Sequence, residues 1–502
     1  GPFWSSDRLV PAGNIHGKFL PYVYFGDGEQ GLTYVQAHDK GWIRDFQKPS
    51  SHLEVKGDEV RFILHIANTQ RTIREPRTFT FGLQAVPVRP LDPDHRKDGW
   101  RFHDRKWGRY WGTQYGGSSG SCMGLGPGTD TLTTYDPLEW RILREQILAA
   151  KRPYYPDYKL KVSKYIPTNT LGQGMREFKT YAGEWAGRTT LEPHPHPGFT
   201  KLHTPFCVFS PAEGTRQFAD MVQSNLDMRV WAFDKHQEKT GLNGYWWDHS
   251  QWWSSGNIHK GTAYRLDDGR IQGTLNIFLF RQMMKRMAVV SYENAMPLVM
   301  GQYVPPIVPN WSFGTYGWAV EGPWYCKPGK TALDNFQTLA RFRARCGRWS
   351  GLKIRWRTVT QDVKSDDPFQ TRSVIGLALL HDIALQGGCD HATFNRVSKI
   401  LKEAGYFDSR TEWIPYWRSG NRVQVSDPCV ASAYINRHNP YGPKALLVVF
   451  NPGEEAVKAA VSPQTKLLGA APDTVTNAET GEAVDSRSLQ IPHHDYRLLI
   501  VE

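Results

Sequence analysis

The chain has 502 residues, 40% of them hydrophobic and 22% charged, which excludes a disordered chain and suggests roughly two to four cores. Lys and Arg total 61 against 49 Asp and Glu, a formal net charge of +12. The charges are scattered, with no basic helix, zinc finger or RNP-like motif, so nucleic acid is not the expected partner. An anionic polysaccharide and a plain solvated basic surface both remain open.

No run of about 18 apolar residues is present, so no membrane insertion is expected. Six cysteines occur, none as a C-x-x-C pair, which excludes a zinc ribbon or a thioredoxin-like site. The chain opens Gly1-Pro2-Phe3-Trp4 without Met. Gly-Pro is what a cleaved tag leaves behind, so the natural protein is expected to extend further at this end.

In chain order, residues 1–96 read as an N-terminal β-sandwich. Leu32–Val35 is a strand. His52–Val55 and Val60–Ile66 flank Lys56-Gly57-Asp58-Glu59 as a hairpin, and Phe79–Ala85 is another strand. Pro87, Pro90 and Pro93 then mark a boundary. Residues 97–412 alternate instead. Helical patterns at 211–227, 271–290, 331–345, 371–386 and 391–404 lie among strand-like runs such as Gly244–Trp247, Pro297–Met300, Gly317–Val320 and Leu352–Trp356. No Gly-rich dinucleotide or P-loop fingerprint follows a strand. The expected architecture is a (β/α)8 TIM-like barrel flanked by β-domains. Residues 413–502 return to short strands, Val430–Ile435, Ala445–Phe450 and Tyr496–Val501, and predict a C-terminal antiparallel β-sandwich.

Catalytic groups in such a barrel project from the carboxyl ends of strands. Two strands run into carboxylates, Gly244–Trp247 into Asp248 and Gly317–Val320 into Glu321. Seven of the 19 tryptophans fall between Trp246 and Trp324. Sugars stack apolar faces on aromatic rings and need polar tips for their hydroxyls. Hydrolysis of a glycosidic bond needs one carboxyl group as proton donor. A second attacks, activates water or stabilises charge. Asp248 and Glu321 are therefore the candidate catalytic pair, against the plainer reading that each caps a helix or pairs with an arginine.

Candidate sugar contacts are Trp111, Gln114, Trp246, Trp247, His249, Trp252, Trp253, His259, Tyr264, Arg265, Gln302, Trp318 and Trp324. Among them Arg265 best suits an acidic sugar. Glu184 and Asp362 are reserve carboxylates. His194-Pro195-His196 and His493-His494 fall short of a metal-ligand set, so neither metal nor cofactor is expected. No G-x-S-x-G elbow supports an esterase.

These residues carry a resemblance. Gly31-Leu32, His38-Asp39-Lys40-Gly41-Trp42, Phe81–Val88, Tyr110-Trp111-Gly112, Gly244–Asp248, Tyr264–Arg270 and Glu321-Gly322 resemble glycosidase-like proteins of bacterial polysaccharide degraders. These are distantly similar to glycoside hydrolase family 123, the β-N-acetylgalactosaminidases. The resemblance implies a TIM barrel between β-domains, a carbohydrate substrate and a secreted or periplasmic location. That family uses adjacent Asp and Glu with help from the substrate's acetamido group. Here His249 follows Asp248, which favours the two-strand pair Asp248 and Glu321 and a retaining mechanism. Two alternatives stay open: a glycan-binding protein on a degenerate barrel, and a lyase on uronate-containing chains. The sequence does not fix the oligomeric state.

Overall fold

The computed structural model describes residues 21–45, 47–56, 59–96, 142, 145, 149, 164–167, 170–172, 176–185, 216–218, 222–240, 245–248, 254–255, 258–261, 263–265, 269, 271–295, 298–302, 307–314, 316–320, 329–334, 338–357, 367–386, 390–420, 422–440, 444–469 and 474–502. Contacts group the chain into two units. The first comprises Gly1–Val88, Tyr110–Gly301 and Ile307–Thr315, the second Arg89–Arg109, Gln302–Pro306 and Tyr316–Glu502.

The first unit begins with strands β1 (Tyr22–Gly26), β2 (Gly31–Val35), β3 (Ser51–Lys56), β4 (Glu59–Leu64) and β5 (Gly82–Val86). An antiparallel sheet runs β1-β2-β5, and β3 and β4 pair as the expected hairpin with Lys56 opposite Glu59. Among the described residues the N-terminal region is thus one sheet and one hairpin. Its core is not self-contained. Val35 and Trp42 share a buried cluster with Leu275 and Ile277, joined by Tyr22, Leu64, Ile66 and Phe79. The backbone N–H of Leu275 donates to the carbonyl of Ala37 at 2.9 Å.

Further along lie β6 (Lys164–Pro167), β7 (Thr170–Gly172), β8 (Arg216–Phe218), β9 (Tyr245–Asp248), β10 (Ser254–Ser255), β11 (Ala263–Arg265), β12 (Ile271–Leu275) and β13 (Leu298–Gln302). β6 and β13 both pair parallel with β9, while β12 pairs antiparallel with β10 and β11. Three helices accompany them: α1 (Arg176–Trp185), α2 (Gln223–Thr240) and α3 (Ile277–Glu293). α3 buries Phe280, Met283, Met284 and Met287, the spacing of one helix face.

Two helix boundaries in the first unit differ from the sequence reading. Residues 211–227 hold β8 and only the start of α2, because the apolar series Leu226, Val230 and Phe233 continues the helix past its charged positions. In 271–290 the first five residues are β12, ended at Asn276 before α3 begins.

The second unit carries a second parallel trio, β14 (Tyr316–Val320), β15 (Lys353–Arg357) and β16 (Ala384–Gln386), with β14 and β16 flanking β15. Helices α4 (Leu339–Arg345), α5 (Pro368–Leu380) and α6 (His391–Glu403) accompany these strands. The patterns expected at 331–345 and 371–386 are shorter as helices. In the latter, Asp382 takes a left-handed φ of 53°, and the apolar residues beyond it form β16. Six parallel strands, three per unit, are seen among the described residues rather than eight.

The C-terminal strands are β17 (Glu412–Ile414), β18 (Val423–Val425), β19 (Val430–Asn436), β20 (Lys444–Phe450), β21 (Val457–Ala459), β22 (Val461–Pro463), β23 (Val475–Asn477), β24 (Leu489–Ile491) and β25 (Tyr496–Val501). The main antiparallel sheet runs β17-β19-β20-β25-β23, with two-stranded ladders β18-β22 and β21-β24. One face of the main sheet (Ala433, Ile435, Leu447, Val449, Leu499) packs on residues of those ladders. The other meets α5. Ser432 Oγ donates to the carbonyl of Leu380 at 2.7 Å, and Tyr434 donates to that of Leu379. Gly376 allows this approach, since a Cβ there would lie 2.7 Å from Phe450. Burial on both faces explains why β19 and β20 read as continuous apolar runs.

Candidate functional site

In a parallel sheet, ligands and catalytic groups gather at the carboxyl ends of strands. Asp248 is the last residue of β9, which lies between β6 and β13, and its Cα pairs with Pro167. Trp246 and Trp247 precede it, in register with Val299 and Met300 of β13, whose last residue is Gln302. In the second unit Trp318 lies on β14 in register with Arg355, and β14 ends at Val320. Glu321, Trp111, Gln114, His249, Trp252, Trp253, Trp324, Asp362, His194 and His196 lie outside the described residues.

His259 falls in the short turn Ile258–Lys260. That turn meets one reserve carboxylate: Lys260 Nζ lies 3.1 Å from Glu184 Oε2. Glu184 sits at the end of α1 and also accepts a hydrogen bond from the hydroxyl of Ser224. The Ser224 bond, aided by Lys260 and against some desolvation, holds the Glu184 carboxyl below its ordinary range. A carboxylate held ionised in this way suits a base and is a poor proton donor.

Tyr264 and Arg265 lie on β11 and face opposite ways, as neighbours on a strand do. Tyr264 turns inward. Its hydroxyl donates to Asp39 Oδ1 at 2.5 Å, and its ring lies 6.1 Å from that of His38. Burial, reinforced by Asp39, pushes its phenol far above the usual range. Asp39 is 7% exposed, and Arg44 Nη1 donates to its other oxygen at 2.6 Å. Arg44 in turn lies over the Trp42 ring, 5.6 Å from its centroid. Gly41, at a left-handed φ of 86°, makes the turn between these groups. Burial lowers the affinity of His38 for a proton, which favours its neutral form; Asp39 opposes this and Lys40 adds to it.

The resemblance motifs His38–Trp42 and Tyr264–Arg270 thus meet at the Asp39–Tyr264 bond. Residue spacing by itself assigns the first motif no role. Its signal was a dense polar cluster, His-Asp-Lys-Gly-Trp, within an otherwise strand-rich region.

The His493-His494 pair has neighbours of its own. Thr331 Oγ1 lies 2.9 Å from His494 Nδ1, Asp334 lies 3.4 Å from that nitrogen, and His493 packs on Phe369.

No family model matches the chain, and no curated protein does. Among solved structures it is similar to an α-amylase from Geobacillus thermoleovorans complexed with acarbose, at 8% identity and a TM-score of 0.45, over 78% of this chain and 90% of that one. A GH36 α-galactosidase from Geobacillus stearothermophilus is similar at 9% identity and a TM-score of 0.45, over 96% of this chain and 69% of the other. Trehalose-6-phosphate hydrolase from Bacillus licheniformis is similar at 10% identity and a TM-score of 0.40, over 72% and 86% respectively. These neighbours are glycoside hydrolases; likeness at this level assigns neither activity nor substrate to this chain.

Proposed function

We propose that the chain is a glycoside hydrolase acting on a polysaccharide or oligosaccharide, with Asp248 and Glu321 as its two carboxylates. The observation that carries this reading is the place of Asp248 as the last residue of a strand paired on both sides in a parallel sheet. Glu321 follows the last residue of another parallel strand, β14. Trp246, Trp247 and Trp318 lie on the same strands, and tryptophan is a residue type on which sugars stack. Asp248 is assigned as nucleophile or charge stabiliser and Glu321 as acid and base in a retaining reaction.

Purified protein is incubated with a panel of neutral and acidic polysaccharides, and products are read as reducing ends and as absorbance of unsaturated uronates. Hydrolysis gives reducing ends without absorbance, whereas unsaturated products mean a lyase. Asp248→Asn and Glu321→Gln are near-isosteric and should each lower turnover by roughly 10²–10⁴-fold or more with the fold intact. Azide should restore Glu321→Ala by capturing a glycosyl-enzyme with retained configuration. Full activity in either amide variant overturns the assignment.

A further inference from the structure

Helix α1 carries one large aromatic ring at the surface. Tyr181 is 46% exposed and stacks on Trp185, with ring centroids 5.0 Å apart and planes at 22°. Trp185 is 1% exposed, and its indole N–H donates to Ser224 Oγ at 2.9 Å. That hydroxyl donates in turn to Glu184 Oε1, while Glu184 Oε2 lies 3.1 Å from Lys260 Nζ. One chain of contacts thus joins an exposed ring, a carboxylate and an ammonium group. The charged pair stays open to water: the Glu184 side chain is 21% exposed and that of Lys260 43%. Two connections place this cluster toward the Asp248 end of its sheet. Pro167, the last residue of β6, pairs with Asp248; β7 begins three residues later at Thr170, which pairs with Phe218, five residues before α2 begins. Ser224 is the second residue of α2. Lys260 follows Asp248 by twelve residues. Links this short hold the cluster near the carboxyl ends of β6 and β9.

A ring with one face on a buried indole has its other face and its edge as exposed surface. Such a face covers the C–H side of a sugar ring. Hydroxyls at the sugar's edge then need partners that accept and partners that donate. An ionised carboxylate only accepts and an ammonium group only donates, so the Glu184–Lys260 pair offers both in one place with no net charge. The geometry points to a subsite for a neutral sugar residue, with Tyr181 as its stacking platform and Glu184 and Lys260 as partners of its hydroxyls. The subsite rests on the glycoside hydrolase reading and deepens it by naming an uncharged substrate class. An acidic sugar would bring its carboxylate against that of Glu184, which repels it. A nucleobase could also stack on the ring, but its phosphates would meet the same carboxylate.

Binding is measured by calorimetry on the whole chain, with Asp248→Asn as background so that no probe is consumed. Cleavage is read separately on the unaltered chain. The probes are maltohexaose, cellohexaose, mannohexaose and xylohexaose, with hexagalacturonate as the acidic comparison. At least one neutral probe should bind. Tyr181→Leu still covers Trp185 but removes the platform, and should weaken that binding at least about tenfold with an unchanged melting midpoint. Tyr181→Phe and Tyr181→Trp keep a ring and should stay within about threefold of the starting affinity. Glu184→Gln and Lys260→Met should each weaken binding about fivefold or more. The proposal is overturned if no neutral probe binds, or if Tyr181→Leu binds as well as the parent, since the ring would then serve only as a cover. Equal losses in Tyr181→Leu and Tyr181→Phe with a lowered midpoint overturn it as well. Hexagalacturonate binding tighter than every neutral probe, and lost in Lys260→Met, overturns it in favour of an acidic glycan. A chain that binds a neutral probe through Tyr181 but cleaves none keeps the subsite and removes the hydrolase reading. One that cleaves neutral probes, with binding unaffected in Tyr181→Leu, does the reverse.

Discussion

Two buried carboxylates, one in each unit, are held in different ways. Asp382 in the second unit is wholly buried at the end of α5. It accepts from Arg96 Nε at 2.7 Å and Arg348 Nη2 at 3.1 Å, and lies 3.1 Å from His95 Nε2. Arg96 also lies between Tyr406 and Tyr434, 5.3 and 5.2 Å from their centroids, and bonds the Thr411 carbonyl. Asp39 in the first unit has one arginine and one phenol. Around Asp382 two arginines and a histidine converge on one carboxylate, and Arg96 ties the segment it ends to the C-terminal sheet through Tyr434. Around Asp39 the inner charges close and the outer ones do not. A buried cluster of this kind serves the fold, whereas exposed cations around a turn contribute little to it.

Removing the Asp382 charge should have the largest effect. Asp382→Asn keeps the shape and tolerates the left-handed φ, so the loss reports the charge and the one acceptor oxygen that the amide nitrogen replaces. Arg96 would remain buried and Arg348 half-buried without their anion, at a cost of about 3–5 kcal/mol in urea unfolding. A loss below about 1 kcal/mol would mean that water reaches the cluster, and the contrast with Asp39 would fail.

The residue beside it sharpens the contrast by pH. His381 is equally buried but has the Phe342 ring 4.5 Å away and the Tyr416 ring at 5.5 Å, with its Nδ1 bonded to the Leu377 carbonyl at 2.8 Å. Burial outweighs that bond and pushes its pKa down to about 3 from 6.5. Below pH 6.5 the unfolded chain therefore binds a proton that the folded chain refuses. Stability should fall by about 1.4 kcal/mol per pH unit from near 6.5 downward. Asp382 has the opposite chemistry. Burial resists its ionisation, but Arg96, His95 and Arg348 prevail and hold it well below its ordinary value of 3.8. Its contribution is present above that value and disappears only as the pH falls further. His381→Asn should flatten the stability profile between about pH 6 and 4, and Asp382→Asn only the part below about 4. A wild-type profile flat across the upper window would show that His381 is not held neutral.

The smaller cluster should respond less. Tyr264→Phe removes one hydrogen bond to a charged acceptor and should cost roughly 1.5–3 kcal/mol. Asp39→Asn should cost more, because it leaves Arg44 buried beside a neutral amide. If the order is reversed, Tyr264 rather than Arg44 is the main partner of Asp39.

How legible these arrangements were depends on their range in sequence. Strands β2, β9, β14, β19, β20 and β25 could be read because each is a short apolar run with a clear stop. The hairpin β3–β4 announced itself through Gly57-Asp58. Helix α5 carries apolar residues on most of its faces, so no periodicity marks its end and the apolar Ile383–Leu385 continue its pattern in sequence. The Asp39–Tyr264 bond spans 225 residues and the Arg96–Asp382 bond 286, and a pairing of that range leaves no trace in local spacing. Asp248 was legible because the end of a strand is a local feature.

The smallest effect is expected at the outer cations. Lys40→Gln/Arg77→Gln should change stability by less than about 0.5 kcal/mol, read from urea unfolding and the melting midpoint. Both side chains are exposed, and neither makes an ion pair among the described residues, so no Coulombic partner is lost. Removing two like charges from one turn relieves a mild repulsion. Against that stands the loss of the Arg77 bond to Gly41, which is exposed to water and so exchanges one hydrogen bond for another. Gly41 already adopts its φ of 86° without help from a side chain, so the turn should keep its shape. A loss of about 2 kcal/mol would place these cations with Arg96 and Arg348 as structural charges. Unchanged stability would separate these outer cations from the buried cluster around Asp382 in the same molecule.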